Sequence, residues 1–217
     1  MTLPFTVEQF YGVFRDYNTA VWPAQWLLVA LALAALAAAV PRSGRGLSVA
    51  ASAILGLLWA WITFAYHLAF FARISPAAYG FAALSAAGAV TFIWQGVVRR
   101  RLTFRWVPGL KATAGVVLIA FALVVYPVWS ACAGHPYPAT PTFGLPCPTT
   151  IFTIGLLCFA APPMPRSVVI APVLWCLVGA QAAFLLGVQP DLGLIAAGLV
   201  GLGLLATAGQ PHRTLKS

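Results

Sequence analysis

The sequence predicts an all-α fold: a polytopic membrane protein of about seven transmembrane helices, with an N-terminal interfacial amphipathic helix and a proline-rich extracytoplasmic loop. Hydrophobic residues make up 62% of the 217 residues and charged residues 7%, whereas soluble domains have about 45–50% and about 25%. Basic runs and turn residues divide the chain into apolar stretches of roughly 20 residues, the length of a membrane-spanning helix. We therefore expect one transmembrane helical-bundle domain over residues 1–217.

The N-terminal segment predicts a short amphipathic helix. Residues 6–9, Thr-Val-Glu-Gln, form a capping box in which the Thr6 hydroxyl and the Gln9 side chain satisfy each other's backbone amides. Apolar residues then recur at the three-four spacing of one helix face, with charged residues opposite: Val7, Phe10, Tyr11, Phe14, Tyr17 and Val21 against Glu8, Arg15 and Asp16. Such a helix lies in the headgroup layer or packs on the bundle, and the sequence leaves both open.

Seven apolar stretches follow this helix. They cover about residues 21–40, 47–71, 77–98, 112–130, 149–161, 167–188 and 192–208. Turns rich in proline, glycine, serine and arginine separate most of them, as expected where a helix ends. The fifth stretch is short for a span, and it is counted because its neighbours require a crossing.

The basic residues predict the orientation. With the N-terminus outside and seven crossings, 10 of the 12 basic residues fall on the cytoplasmic side, in agreement with the positive-inside rule: Arg42, Arg45, Arg99, Arg100, Arg101, Arg105, Lys111, Arg166, Arg213 and Lys216. The remaining two, Arg15 and Arg73, fall outside. The net charge of +9 is thus explained by topology, and nucleic acid is not an expected partner. The C-terminus is expected in the cytoplasm.

Residues 134–150 predict a rigid loop on the outer side. Prolines at 136, 138, 141, 146 and 148 fix their own φ angles and restrict the residues before them. Gly134 and Gly144 permit sharp turns. A loop with this stiffness would hold one shape and could serve as a lid.

Polar side chains fall at one depth below that loop. At about 1.5 Å per helical residue, His67 lies roughly 9 Å inward of Arg73 and Gln181 roughly 12 Å inward of Gln189. An outward-facing polar pocket is therefore expected. The candidate ligand-binding residues are Tyr66, His67, His135, Tyr137, Thr149, Thr150, Thr153, Gln181, Trp22 and Gln25. Alternatively, each side chain makes one hydrogen bond between helices.

His67 allows several interpretations. An intramembrane histidine can transfer a proton, ligate a metal or donate to a buried acceptor. All three acids, Glu8, Asp16 and Asp191, fall at helix ends on the outer side, so no carboxylate is expected inside the bundle. Carboxylate-based proton coupling therefore has no obvious residues.

Cys132 and Cys147 flank the loop on the outer side, where a disulfide between them could form. A soft-metal site with His135 is an alternative, but the four-ligand spacing of a zinc site is missing. Motifs of hydrolases, metalloproteases and nucleotide-binding enzymes are also missing. We therefore predict no catalytic residue, no metal and no cofactor, and the sequence favours a protein without catalytic activity.

Six stretches carry a resemblance to a known family. They are Tyr17-Asn18, residues 22–25 (Trp-Pro-Ala-Gln), 66–71 (Tyr-His-Leu-Ala-Phe-Phe), 134–138 (Gly-His-Pro-Tyr-Pro), 146–153 (Pro-Cys-Pro-Thr-Thr-Ile-Phe-Thr) and 189–194 (Gln-Pro-Asp-Leu-Gly-Leu). In these the chain resembles an uncharacterised bacterial family of multi-pass membrane proteins, a domain of unknown function. The resemblance covers nearly the whole chain. It implies a protein of the bacterial cytoplasmic (inner) membrane and no particular activity.

Three functions remain open at this point. The first is binding or passage of a small molecule or ion through the pocket beneath the 134–150 loop. The second is an accessory subunit of a larger membrane complex, or a homo-oligomer, that packs through its alanine- and glycine-rich helices. The third is thiol or metal redox chemistry at the extracytoplasmic face with Cys132, Cys147 and His135. The lipid bilayer is a partner in all three.

Overall fold

The computed structural model describes residues 4–40 and 44–210, and within them every regular element is a helix. The α-helices, in chain order, are α1 (Val7–Ala20), α2 (Ala24–Ala39), α3 (Arg45–Trp61), α4 (Ala77–Phe92), α5 (Leu110–Ala120), α6 (Tyr126–Cys132), α7 (Pro146–Leu157), α8 (Ser167–Gly179), α9 (Gln181–Leu185) and α10 (Leu192–Thr207). The all-α prediction is confirmed. The capping box at Thr6 and Gln9 is formed, with hydrogen bonds of 2.8 and 3.2 Å.

Five helical segments of the described chain are long and apolar enough to cross a membrane: residues 45–73, 77–98, 110–132, 167–185 and 189–207. The pair α1 and α2 meets the same criteria only as one unit, and it is bent by 87°. Helix α7 has only 12 residues, which is about 18 Å against a hydrocarbon core of about 30 Å. By length and composition, the described residues therefore contain five or six helical segments able to cross a membrane, where the sequence predicted about seven spans.

Three of the long helices change to π-helical geometry part-way along. The π-helical segments are Ile62–Leu68 after α3, Ile93–Val98 after α4 and Phe121–Val125 between α5 and α6. A π turn inserts an extra residue, so the side chains after it point in a different direction from those of a regular α-helix. Tyr66 and His67 lie inside the first of these segments, and Tyr126 directly follows the third.

Hydrogen bonds join several chain segments at one end of the bundle, which we name the basic end. The Phe104 amide donates to Ser48 Oγ at the start of α3, at 3.1 Å, and the Arg105 amide donates to the Phe159 carbonyl at 2.8 Å. Arg166 Nε donates to the Ala208 carbonyl at 3.1 Å. The described basic residues in these segments are Arg45, Arg99, Arg100, Arg101, Arg105, Lys111 and Arg166. The other three basic residues assigned to this side, Arg42, Arg213 and Lys216, lie outside the described residues, as does the C-terminal tail.

The opposite end, named the loop end, contains α1 and the 134–150 loop. Because of the 87° bend, α1 runs across this end and packs on the bundle. Its buried residues Phe10, Phe14 and Tyr17 belong to one cluster with Tyr66 and Leu145. The packed alternative for α1 is thus observed, while a position in the headgroup layer stays a prediction.

Helix α7 lies at the centre of the bundle and packs against α5, α8 and α10. All of its residues are buried except Cys147, which is partly buried. Gly155 permits the contact with α5, because a Cβ there would come within 2.9 Å of the Gly115 carbonyl oxygen and 2.8 Å of an Ile119 side-chain carbon. The short fifth stretch of the sequence is therefore the central helix of the fold.

Candidate functional site

A cavity of about 170 Å³ lies at the loop end, between α1, the π-helical part after α3, the start of α7, and α8 to α10. Polar or titratable side chains on its wall come from six different helical elements. They are Tyr66, His67, Tyr126, Cys147, Trp175, Gln181 and Asp191. Pro141, Leu145 and Pro146 of the proline-rich loop also line the cavity.

His67 is the most unusual residue on the cavity wall. Its side chain is fully buried, and both ring nitrogens lack a hydrogen-bond partner among the described residues. Aromatic rings surround it, with the Trp175 ring centroid at 5.1 Å and the Phe81 centroid at 5.8 Å. A buried polar group without a partner costs free energy. A bound molecule could therefore form hydrogen bonds to the ring nitrogens of His67.

Asp191 is the acidic residue among the described residues of the cavity wall. Only 1% of its surface is exposed, although it lies at the start of α10. The Tyr126 hydroxyl donates to its Oδ1 at 2.5 Å, and the Cys147 thiol makes a second hydrogen-bonding contact with the carboxyl group. The expectation that no carboxylate lies inside the bundle is wrong here. Asp191 is at a helix end, as predicted, but its side chain turns inward to two donors.

The rest of the cavity wall is apolar, with five phenylalanine rings, whereas a polar pocket was expected. Phenylalanines from α1 and the residues before it, from the turn before α4 and from α4 itself contribute to it: Phe5, Phe10, Phe14, Phe71 and Phe81. The cavity reaches the surface beside α9, where the lining residues Gln181 and Leu185 are exposed and Ala182 is partly exposed. The wall therefore combines an aromatic body with a few polar groups, as in many small-molecule sites.

Asn18 fixes the proline-rich loop to α1. Its side-chain nitrogen donates to the Pro138 and Thr140 carbonyls at 2.7 and 2.8 Å, and its oxygen accepts from the Thr142 hydroxyl at 2.6 Å. The Asn18 backbone carbonyl accepts a further bond from the Tyr137 hydroxyl at 3.2 Å. The buried Asn18 side chain thus uses its hydrogen-bonding groups to hold one shape of the loop.

Four of the predicted ligand-binding residues lie at the loop end away from the cavity wall. His135 stacks on Tyr11 with ring centroids 3.7 Å apart. Trp22 and Tyr137 are half exposed or more and line a separate shallow surface pocket. Gln25 is buried and donates to the Asn18 carbonyl at 2.8 Å. These side chains surround the attachment of the loop.

The three predicted threonines of α7 are buried inside the bundle. Thr149 accepts a bond from the Gly144 amide at 3.1 Å, and Thr153 accepts one from the Trp59 indole at 3.1 Å. The Thr150 hydroxyl has no partner among the described residues. Two of the three therefore join α7 to its neighbours.

All four cysteines are free thiols in the structure, so the disulfide proposed between Cys132 and Cys147 is not formed. Cys132 is exposed at the end of α6, while Cys147 faces Asp191 at the start of α7. Among the described residues, no group of three or more histidine, cysteine or acidic side chains could hold a metal ion.

The structure thus brings three predicted residues, Tyr66, His67 and Gln181, to one cavity wall. Sequence reasoning missed Asp191 and Trp175 as parts of that wall. The available signal for Asp191 was its place before the last apolar stretch, where an acid favours the helix N-terminus. Trp175 stands in a uniformly apolar stretch and gives no comparable signal.

The helices and the cavity define an all-helical integral membrane protein with a small aromatic cavity near one end. The chain belongs to DUF6064, a family of unknown function, whose family model matches residues 7–214. No curated protein and no solved structure matches the chain.

Proposed function

We propose that the protein binds a small molecule or ion in the cavity at the loop end. The observation that carries the proposal is His67, a fully buried histidine on the cavity wall whose two ring nitrogens have no partner among the described residues. Asp191 adds a hydrogen-bond acceptor to the same wall, and the Tyr126 hydroxyl holds it in place by donating to it. The position of α7 between the cavity and the basic end favours binding over passage, since passage would require this central helix to move.

The proposal includes the orientation of the protein in a bacterial inner membrane. Seven described basic residues occur at the basic end, and the three acids occur in the elements of the loop end. This asymmetry favours a cytoplasmic basic end and an extracytoplasmic cavity. Counting α2 and α7 as crossings gives the seven spans that place the N-terminus outside.

Purification from native membranes tests the proposal. Small molecules extracted from the purified protein would be identified by mass spectrometry. Ala182→Phe places a ring at the cavity mouth and should remove the extracted molecule, whereas the neighbouring Ala183→Phe, which lies off the cavity wall, should retain it. Equal recovery from both variants, or none from the wild type, would contradict a role for the cavity.

A second candidate function, an accessory subunit of a membrane complex, has support from a groove of about 510 Å³ outside the cavity. Gly56 and Ala60 of α3 line it together with Ala86, Val90 and Ile93. Small residues let another helix approach closely. The same purification distinguishes this candidate, because an accessory subunit would carry a stoichiometric protein partner and no small molecule.

A further inference from the structure

We infer that the molecule bound in the cavity is a small organic ammonium ion with an apolar body. This inference rests on the proposed function, and it adds the chemical class of the ligand. Three features of the cavity wall support it: one carboxyl group with no basic partner, one histidine with no partner, and a surrounding of aromatic rings.

The first feature is the charge of the wall. Among the described residues that line the cavity, Asp191 is the acidic one and none is lysine or arginine. Its hydrogen-bond partners, the Tyr126 hydroxyl and the Cys147 thiol, are neutral donors. A buried charge is stable when a charge of opposite sign accompanies it. An ammonium group in the cavity would supply that charge.

The starts of α7 and α10 argue against an anion. A helix start binds anions through its free backbone amides, but Pro146 and Pro148 have no amide hydrogen, and the Thr149 amide donates to the Leu145 carbonyl. At α10, the Asp191 amide donates to the Val188 carbonyl and the Leu192 amide donates to earlier carbonyls. Few backbone amides at these two helix starts therefore remain for an anion.

The second feature is His67. In its neutral form an imidazole has one acceptor nitrogen and one donor nitrogen, and neither has a partner among the described residues. An ammonium N–H can donate to the acceptor nitrogen. Because a quaternary ammonium has no N–H to give, His67 favours a primary, secondary or tertiary amine in its protonated form.

The third feature is the aromatic surface. Rings of Phe10, Phe14, Phe71, Phe81 and Trp175 line the cavity. Aromatic faces attract organic cations through cation–π interactions and also bury the apolar part of the ligand. A sodium or calcium ion needs a shell of about six oxygen ligands, which this wall does not offer, so the cation is expected to be organic.

The volume limits the size of the ligand. The cavity measures about 170 Å³, and an apolar cavity of about 150 Å³ in another protein holds benzene. Ligands of about six to ten non-hydrogen atoms therefore fit. Benzylammonium combines a ring of this size with a protonated primary amine, and it serves as the probe.

Isothermal titration calorimetry of the full-length protein in detergent micelles, with protein-free micelles as blank, tests the inference. The probes are benzylammonium, the neutral benzyl alcohol and the anionic benzoate. We expect the wild type to bind benzylammonium at least about tenfold more tightly than benzyl alcohol, with no heat from benzoate. Asp191→Asn should reduce the affinity for benzylammonium to that for benzyl alcohol. Asp16→Asn, which removes an exposed acid of α1, should leave both affinities unchanged.

Each other outcome contradicts a defined part of the inference. Equal binding of benzylammonium and benzyl alcohol would overturn the ammonium class and leave the cavity as a small-molecule site. Tighter binding of benzoate would reverse the sign of the expected charge. Displacement of benzylammonium by an equal concentration of sodium would overturn the organic nature of the cation. No binding of any probe would contradict the proposed function as well. The wild-type comparison needs no variant, so a folding defect in Asp191→Asn leaves it intact.

Discussion

Replacement of Asn18 by alanine should release the proline-rich loop from α1. The change removes three side-chain hydrogen bonds, to the Pro138 carbonyl, the Thr140 carbonyl and the Thr142 hydroxyl. At about 1 kcal/mol for each bond, the expected loss of stability is about 3 kcal/mol. A chain of this size loses about 2–4 °C in melting temperature for each kcal/mol, so we expect a decrease of about 6–12 °C.

A thermal unfolding scan of the purified protein in detergent measures this loss. Thr19→Ala is the matched control, because Thr19 is the next residue of α1, is exposed, and makes no hydrogen bond to the loop among the described residues. Its melting temperature should stay within about 2 °C of the wild type, as is usual for surface substitutions. Limited proteolysis of the loop gives a second measurement, with faster cleavage expected only for Asn18→Ala. Equal melting temperatures and equal cleavage rates in the two variants would refute the role of Asn18.

Three further predictions concern the loop, the orientation and the central helix. Gly144→Ala should lower the free energy of unfolding by about 2–4 kcal/mol, because the φ of Gly144 is +102° and the new Cβ would lie 2.4 Å from Leu28 Cδ1. Gly134 has a φ of +93° but open space around it, so Gly134→Ala should lower the free energy of unfolding by about half as much in the same thermal scan. A membrane-impermeant maleimide should label the exposed Cys132 in intact cells. The thiol introduced by Arg101→Cys should be labelled only after permeabilisation. The reverse labelling pattern would contradict the proposed orientation. Trp59→Phe removes the indole donor to α7 and should cost about 1 kcal/mol; an unchanged melting temperature would contradict this contribution.

Local signals in the sequence allowed much of the helical pattern to be predicted. The third apolar stretch was predicted over 77–98 and the structure has a helix over the same residues, since Pro76 starts it and the run at Arg99 ends it. The capping box of Thr6 likewise placed the start of α1. These signals act within a few residues, so they can be read without knowledge of the tertiary fold.

The cavity could be predicted only in part, because its wall depends on tertiary contacts. His67 was identifiable as a polar residue deep in an apolar stretch, and it does line the cavity. His135 was expected beside it, but its ring stacks on Tyr11, a contact created by the 87° bend between α1 and α2. The inward turn of Asp191 similarly depends on the Tyr126 hydroxyl, which is 65 positions away in sequence.

The π-helical segments could not be predicted either. Apolar residues around Ile62–Leu68 and Phe121–Val125 fit a regular α-helix as well as a π-helix, because hydrophobic spacing over a few residues does not separate the two. Yet these segments decide where Tyr66, His67 and Tyr126 point. The polar wall of the cavity is therefore set by a backbone feature that leaves no mark in the composition.

The shortness of α7 has a consequence for the order in which the protein is assembled during synthesis. Helix α7 is about 18 Å long, whereas the hydrocarbon core of a bilayer is about 30 Å thick. It also carries buried hydroxyls at Thr149, Thr150 and Thr153, so we expect it to insert poorly into a bilayer on its own. Its partners α8 and α10 are made later than α7 itself. We therefore expect the growing chain to enclose α7 only after α10 has left the ribosome, so that chains truncated before residue 192 should be degraded rather than accumulate.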